Sequence, residues 1–279
     1  MKEATKWQRD ADFPNPEPTP MLSFLKQLVR RYAPAGLKHR LRKWNSWRLV
    51  RHFDEGRWPP AAMARRLVRP GDRVVDAGAN IGYVTALFSK WVGPAGRVCS
   101  FEPEPGTFDV LASNVRRLNL ANVSLFPCAV SSREGEGVLA IPEYAAGGEN
   151  LYEARVVDAP ARARGIRTVA IRLGALDKLL EGLDSLALIK LDVEGYELEA
   201  VRGGAGLIGR FHPALLIEVS GDPWTPGTKA AALFELLKGW GYSPYRSEAG
   251  VWRKLQAGDA VLDVVFLAGP PPGESPVHH

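Results

Sequence analysis

The sequence has few of the features that would lock a chain covalently or carry it through a membrane. Only two of its 279 residues are cysteine, Cys99 and Cys128, too few for a disulfide framework or a cysteine-rich metal site. Each sits in an apolar, strand-like run, where a buried free thiol is the simplest reading. No apolar run approaches the ~18 residues that span a bilayer as a helix. The opening Met-Lys-Glu-Ala-Thr-Lys leads into no apolar segment, so no secretory leader is expected and the cytoplasm is the expected compartment. Acidic residues are absent from one whole stretch. Between Glu17 and Asp54 there is none, while Lys26, Arg30, Arg31, Lys38, Arg40, Arg42, Lys43, Arg48 and Arg51 supply nine cations. Taking nine from the net charge of +5 leaves −4 for the rest, so the basicity belongs to an arm and not to the body. With 46% hydrophobic residues the chain can bury a core, which excludes disorder throughout.

Residues 1–20 end in alternating prolines and are expected to form an extended tail. A basic helical extension over 21–59 follows. Leu22, Leu25, Leu28, Val29 and Tyr32 recur at helical spacing, and after Pro34 and Gly36 a second stripe runs through Leu37, Leu41, Trp44 and Trp47. The main domain is expected over 60–269, with an insertion at about 131–170 where glycines and prolines punctuate short β-prone pieces such as Val138–Ile141. Residues 270–279 read as a disordered tail. Within the domain, strands at 73–79, 97–101, 123–130, 186–191 and 214–219 are separated by helices at 81–91, 107–118 and 196–202. That alternation predicts an α/β fold with a parallel sheet and helices on both faces. A helix at 228–240 and closing strands at 242–246 and 263–267 complete it.

Asp76-Ala77-Gly78-Ala79-Asn80-Ile81-Gly82 lies where the first strand turns into the first helix. Gly78 and Gly82 permit positive φ and close approach of a ligand. Twenty residues past Gly82, Glu102 ends the second strand, placed to accept hydrogen bonds from both hydroxyls of a ribose. The spacing is not that of a dinucleotide loop, and Asp76 would repel a pyrophosphate. Asp76 with Glu102 instead suits a ligand with a ribose and a cationic end, as in S-adenosylmethionine.

Val74 to Tyr83, Phe101-Glu102-Pro103 and Ile189 to Glu197 together resemble the FkbM-type class I methyltransferases, with Leu176-Asp177 and Pro213 to Glu218 in the matching order. The Asp-Val-Glu-Gly-x-Glu element at 192–197 is the family-specific part. The resemblance implies a Rossmann-like, seven-stranded sheet with an antiparallel last strand. It also implies methyl transfer from S-adenosylmethionine, usually to an oxygen of a sugar or natural product. Asp76, Gly78, Asn80, Gly82, Tyr83 and Glu102 are the expected cofactor contacts. Cys128 and Ala129 stand where many class I enzymes carry an adenine-binding Asp, so packing and backbone groups are expected to serve there.

Ligands in an open α/β sheet sit over the carboxyl ends of the strands. Asp192 is the first candidate for a base or acceptor-aligning group and Glu218 the second, on neighbouring strands ~4.8 Å apart. Lys190 alternates with Asp192 and is a candidate salt-bridge partner. Asp192 and Glu218 alternatively cap helices, or hold Mg²⁺, for which no third ligand stands out. Glu199 reads as a helix-dipole residue, Glu197 stays open, and His212 reads as structural. Trp224, Tyr144 and Tyr152 are candidates for stacking on an acceptor. The arm suits packing on the domain with its stripe inward and its cations in water, an anionic membrane surface, or RNA. The chief expectation is O-methylation of a sugar hydroxyl or related small molecule; RNA methylation and a non-catalytic cofactor-binding module are the alternatives.

Overall fold

A computed structural model describes residues 34–142, 150, 154–157, 165–248 and 251–272. The expected helix at 22–32, both tails, Tyr144 and Tyr152 lie outside the described residues. None of the described helices is long and apolar enough to cross a membrane.

The chain enters on α1 (Ala35–Arg51), passes a 3-10 turn (Glu55–Arg57) and α2 (Ala61–Leu67), and begins the sheet at β1 (Arg73–Ala77). Then follow α3 (Tyr83–Val92), β2 (Arg97–Phe101), α4 (Pro105–Arg117), β3 (Val123–Phe126) and β4 (Ala129–Val130). The inserted segment holds β5 (Gly135–Pro142), β6 (Arg155–Val157) and β7 (Ile166–Gly174). The second half runs α5 (Leu176–Leu179), β8 (Leu188–Leu191), α6 (Glu197–Arg202), α7 (Ala205–Phe211), β9 (Ala214–Glu218), α8 (Lys229–Gly239), β10 (Ser243–Glu248), β11 (Val251–Lys254) and β12 (Asp263–Leu267).

The main sheet is ordered β11-β10-β12-β9-β8-β1-β2-β3. Strands β3, β2, β1, β8 and β9 are parallel, and β12 inserts antiparallel beside β9. The α/β architecture and the antiparallel closing strand are as expected, but the count of seven is corrected to eight. The eighth strand, β11, folds back on β10 as a hairpin whose Trp252 is buried under the sheet. The expected continuous strand over 123–130 is also corrected. Pro127 has no N–H to give the ladder, so the chain breaks there and β4 leaves the main sheet. It pairs with β7 in a separate four-stranded sheet, β4-β7-β5-β6.

Apolar strands explain the two cores. One face of the parallel sheet buries Val75, Phe101, Ile189, Leu215 and Ile217 beneath α6, α7 and α8. The other buries Val74, Val98, Leu188 and Val265 under α2 and α3, where Trp58, Phe88 and Trp91 pack together. The arm contradicts the inward-stripe expectation at Leu37, Leu41 and Trp44, while Trp47 of the same stripe is half-buried. Helix α1 docks on α4 through polar groups: Asp109 meets His39 Nε2 at 2.6 Å and Lys43 Nζ at 2.7 Å, and Asn114 donates to Ser46 Oγ at 2.7 Å. Asn114 also donates to the carbonyl of Ile81 at 2.8 Å, tying the arm to the loop after β1. Leu37, Leu41 and Trp44 face outward.

Candidate active site

The loop between β1 and α3 turns on backbone conformations that few side chains tolerate. Gly78 (φ 76°) passes so close to Asp192 that a Cβ there would overlap the Asp192 carbonyl oxygen. Gly82 (φ 98°) starts α3 against Leu111. Between them Asn80 adopts φ 49°, a region asparagine visits more readily than most residues. Its amide donates to Glu102 Oε2 at 3.0 Å, while Glu102 Oε1 accepts from the Glu104 amide at 2.9 Å. Burial, only partly offset by these two amides, pushes the Glu102 carboxyl up to about 7. The chain of bonds continues outward. Glu104 accepts from the Thr107 amide and from Arg167 on β7, and Arg42 of α1 donates to Thr107 Oγ1 at 3.3 Å.

Asp76 is placed differently from the sequence expectation. It is fully buried behind the loop and does not line the cavity. Its Oδ2 accepts from Thr85 Oγ1 at 2.6 Å, and its Oδ1 lies 3.1 Å from Lys190 Nζ. The cause is register: Asp76 and Lys190 are direct neighbours across β1 and β8. Lys190 donates further to the Gly78 carbonyl at 3.0 Å and lies 3.5 Å from Asp192 Oδ2. Burial pulls its pKa down, but Asp76 and Asp192 outweigh that and hold the ammonium well above the usual lysine range. Removing this charge strands a carboxylate in the core. Lys190→Met is therefore expected to lower stability by about 3–5 kcal/mol, read from urea unfolding, with part of the loss recovered by adding Asp76→Asn.

A cavity of about 360 Å³ opens over the carboxyl ends of these strands. Gly78, Asn80, Tyr83, Glu102, Cys128, Ala129, Lys190 and Asp192 line it; Asp76, Gly82 and Glu218 do not. Sequence reasoning missed much of the wall. Phe53 and Trp58 contribute from the segment after α1, with the Phe53 ring tilted against Tyr83 at 4.6 Å between centroids, and Leu139 and Val156 come from the inserted sheet. Only the family motif at 192–197 could have pointed to Glu194 and Tyr196, which also line it.

The strand does not continue through that motif. β8 stops at Leu191, Glu194 takes φ 51° and Gly195 φ 90°, and the Gly195 amide donates to buried Glu197 at 2.7 Å. Glu197 thus holds the turn, and Glu199 pairs with Arg202. The turn brings carboxylate oxygens of Asp192, Glu194 and Glu218 within 4.8 Å of one another, supplying the third acid the sequence left unidentified. Asp263 faces Glu218 across β12 and β9. Burial, with Asp192, Asp263 and Glu194 adding negative charge, pushes the Glu218 carboxyl up to about 10, and burial with Asp192 pushes Asp263 up to about 7. His212 (φ 46°) caps α7. Trp224 donates to the Asp259 carbonyl and packs edge-on to Phe234, away from the cavity.

The donor set fits S-adenosylmethionine. The cavity wall combines the buried Glu102 carboxyl, apolar groups, and the Asp192 and Glu194 carboxyls, groups able to meet ribose hydroxyls, an adenine and a cationic end. The FkbM methyltransferase domain matches residues 76–244. The methyltransferase sdnD of Sordaria araneosa is 29% identical over 201 residues, 63% of this chain and 75% of that protein. The 31-O-demethyl-FK506 methyltransferase FkbM of Streptomyces tacrolimicus is 33% identical over 161 residues, 49% of this chain. This chain spans only 60% of the Streptomyces protein's length. A crystal structure of a methyltransferase FkbM from Methylobacillus flagellatus is 16% identical with a TM-score of 0.43, covering 81% of this chain and 59% of that one. With the domain match covering more than half its length, the chain belongs to the FkbM family of S-adenosylmethionine-dependent methyltransferases.

Proposed function

We propose that the protein transfers a methyl group to a hydroxyl oxygen of a sugar or small natural product. The observation that carries this reading is Asp192: a carboxylate on the wall of the cavity that also holds Glu102, fixed by the Lys190 ammonium 3.5 Å away. The name of the Streptomyces relative points to an oxygen of a natural product as that protein's target.

S-adenosylmethionine, when bound, supplies an electrophilic methyl on a sulfonium. Glu102 is proposed to accept the ribose hydroxyls and the Gly78–Asn80 backbone to lie along the methionine half. Cys128, Ala129, Leu139 and Val156 would enclose the adenine and exclude water. Asp192 takes the acceptor's proton, a general-base task worth about 10²–10⁴-fold. Holding donor and acceptor in line supplies the rest. Glu218 does not share the base role at neutral pH, because its carboxyl already carries a proton. It is a positioning residue behind Asp192. Lys190 also positions, bridging the glycine loop and Asp192.

Carboxylate oxygens this close are neutralised either by a proton or by a divalent cation. The Lys190 ammonium, 3.5 Å from Asp192, already supplies positive charge at one edge of the cluster. Treatment with EDTA is expected to leave turnover within about twofold, and restoration by Mg²⁺ of a lost activity would reassign the cluster. The function itself is tested by incubating the protein with methyl-labelled S-adenosylmethionine and pools of glycans, lipid-linked sugars, natural products and RNA. Label is expected in an alkali-stable ether of a small molecule; label in RNA alone overturns the reading.

A further inference from the structure

We infer that the outer face of α1 is a docking surface for an anionic lipid bilayer. At 3.6 residues per turn, Leu37, Leu41 and Trp44 fall on one line of the helix, and His39, Lys43, Ser46 and Val50 on the opposite one. The second line is the one pinned to the domain, through Asp109 and Asn114. The first therefore points straight away from the protein, with Leu37 46%, Leu41 40% and Trp44 48% exposed. These are three of the five large apolar side chains exposed among the described residues. A helix that only packed on its domain would have the reverse pattern, apolar inward and polar outward.

Charge selects the partner. Lys38 flanks the stripe on one side and Arg40 and Arg51 on the other, while Arg48 lies over the Trp44 ring at 4.9 Å. Among the described residues none of these four cations forms an ion pair within 4 Å, and the helix contains no acid. An apolar ridge with cations along both edges matches a surface with hydrocarbon beneath a layer of negative headgroups. Nucleic acid would satisfy the cations but leave the leucines in water. Polar contacts from His39 to Ser46 hold about two turns of the helix against its domain. This inference does not depend on the identity of the methyl acceptor.

The test is flotation of the full chain with vesicles of phosphatidylcholine alone and with about one part in three phosphatidylglycerol. The protein is expected to float with the anionic vesicles only. Leu41→Ser/Trp44→Ser is expected to weaken partition about tenfold or more, and Lys38→Gln/Arg40→Gln about fivefold per charge. Both variants should keep the wild-type affinity for S-adenosylhomocysteine, which shows that the fold is intact. Failure of the wild-type protein to float overturns the inference. So does full retention by Leu41→Ser/Trp44→Ser with loss only on removing charge, the result expected of a nucleic-acid arm. A fall in native mass on making Leu41→Ser/Trp44→Ser would assign the face to a second copy of the chain and overturn it equally.

Discussion

Glu102→Ala is expected to lower affinity for S-adenosylhomocysteine by about two to four powers of ten. A charged acceptor makes each ribose hydroxyl bond worth about 1.5–3 kcal/mol, and two are at stake. Calorimetry at pH 8 checks this directly, and unchanged affinity would remove Glu102 from the ribose site. The same residue sets a pH dependence. In the empty protein its carboxyl titrates near 7, raised mainly by burial. Ribose hydroxyls donate to the ionised form, so binding below that pH must first expel a proton. Affinity is therefore expected to fall about tenfold per pH unit below 7 and to level off above it. Glu102→Gln should bind more weakly and show none of that slope.

Asp192→Asn is expected to cut the rate of methyl transfer by about 10²–10⁴-fold while leaving S-adenosylhomocysteine affinity within about threefold. The carboxamide keeps an oxygen for Lys190 but cannot receive a proton. Single-turnover measurement separates the chemical step from release. The split between lost rate and retained binding distinguishes a proton acceptor from a residue that merely shapes the loop, and it also separates an enzyme from a cofactor-binding module. Full activity in Asp192→Asn would end the assignment.

The parts of this site that were legible in the sequence are those built from neighbours in the chain. The glycine loop, Asn80 and Glu102 announce themselves because a turn's conformation demands particular residues at fixed spacing. Asp76 could be located by the same logic but not understood. Its partner Lys190 is set by the β1–β8 register, more than a hundred residues away. The arm shows the same limit. Periodicity reveals a stripe on α1, but its direction depends on Asp109 and Asn114, which reward the polar face. The eighth strand and the walls at Phe53, Trp58, Leu139 and Val156 come from segments whose local pattern is weak and whose position is fixed by packing.

The contact between Gly78 and the Asp192 backbone leaves no room for a single methyl group. The loop that would cradle the donor and the acid that would receive the acceptor's proton thus share one hinge-free seam, and neither can be re-aimed without the other. The wall residues Phe53 and Trp58, from the segment after α1, lie outside that seam and can be exchanged while it stays as it is. Grafting that segment between relatives is expected to carry acceptor preference with it.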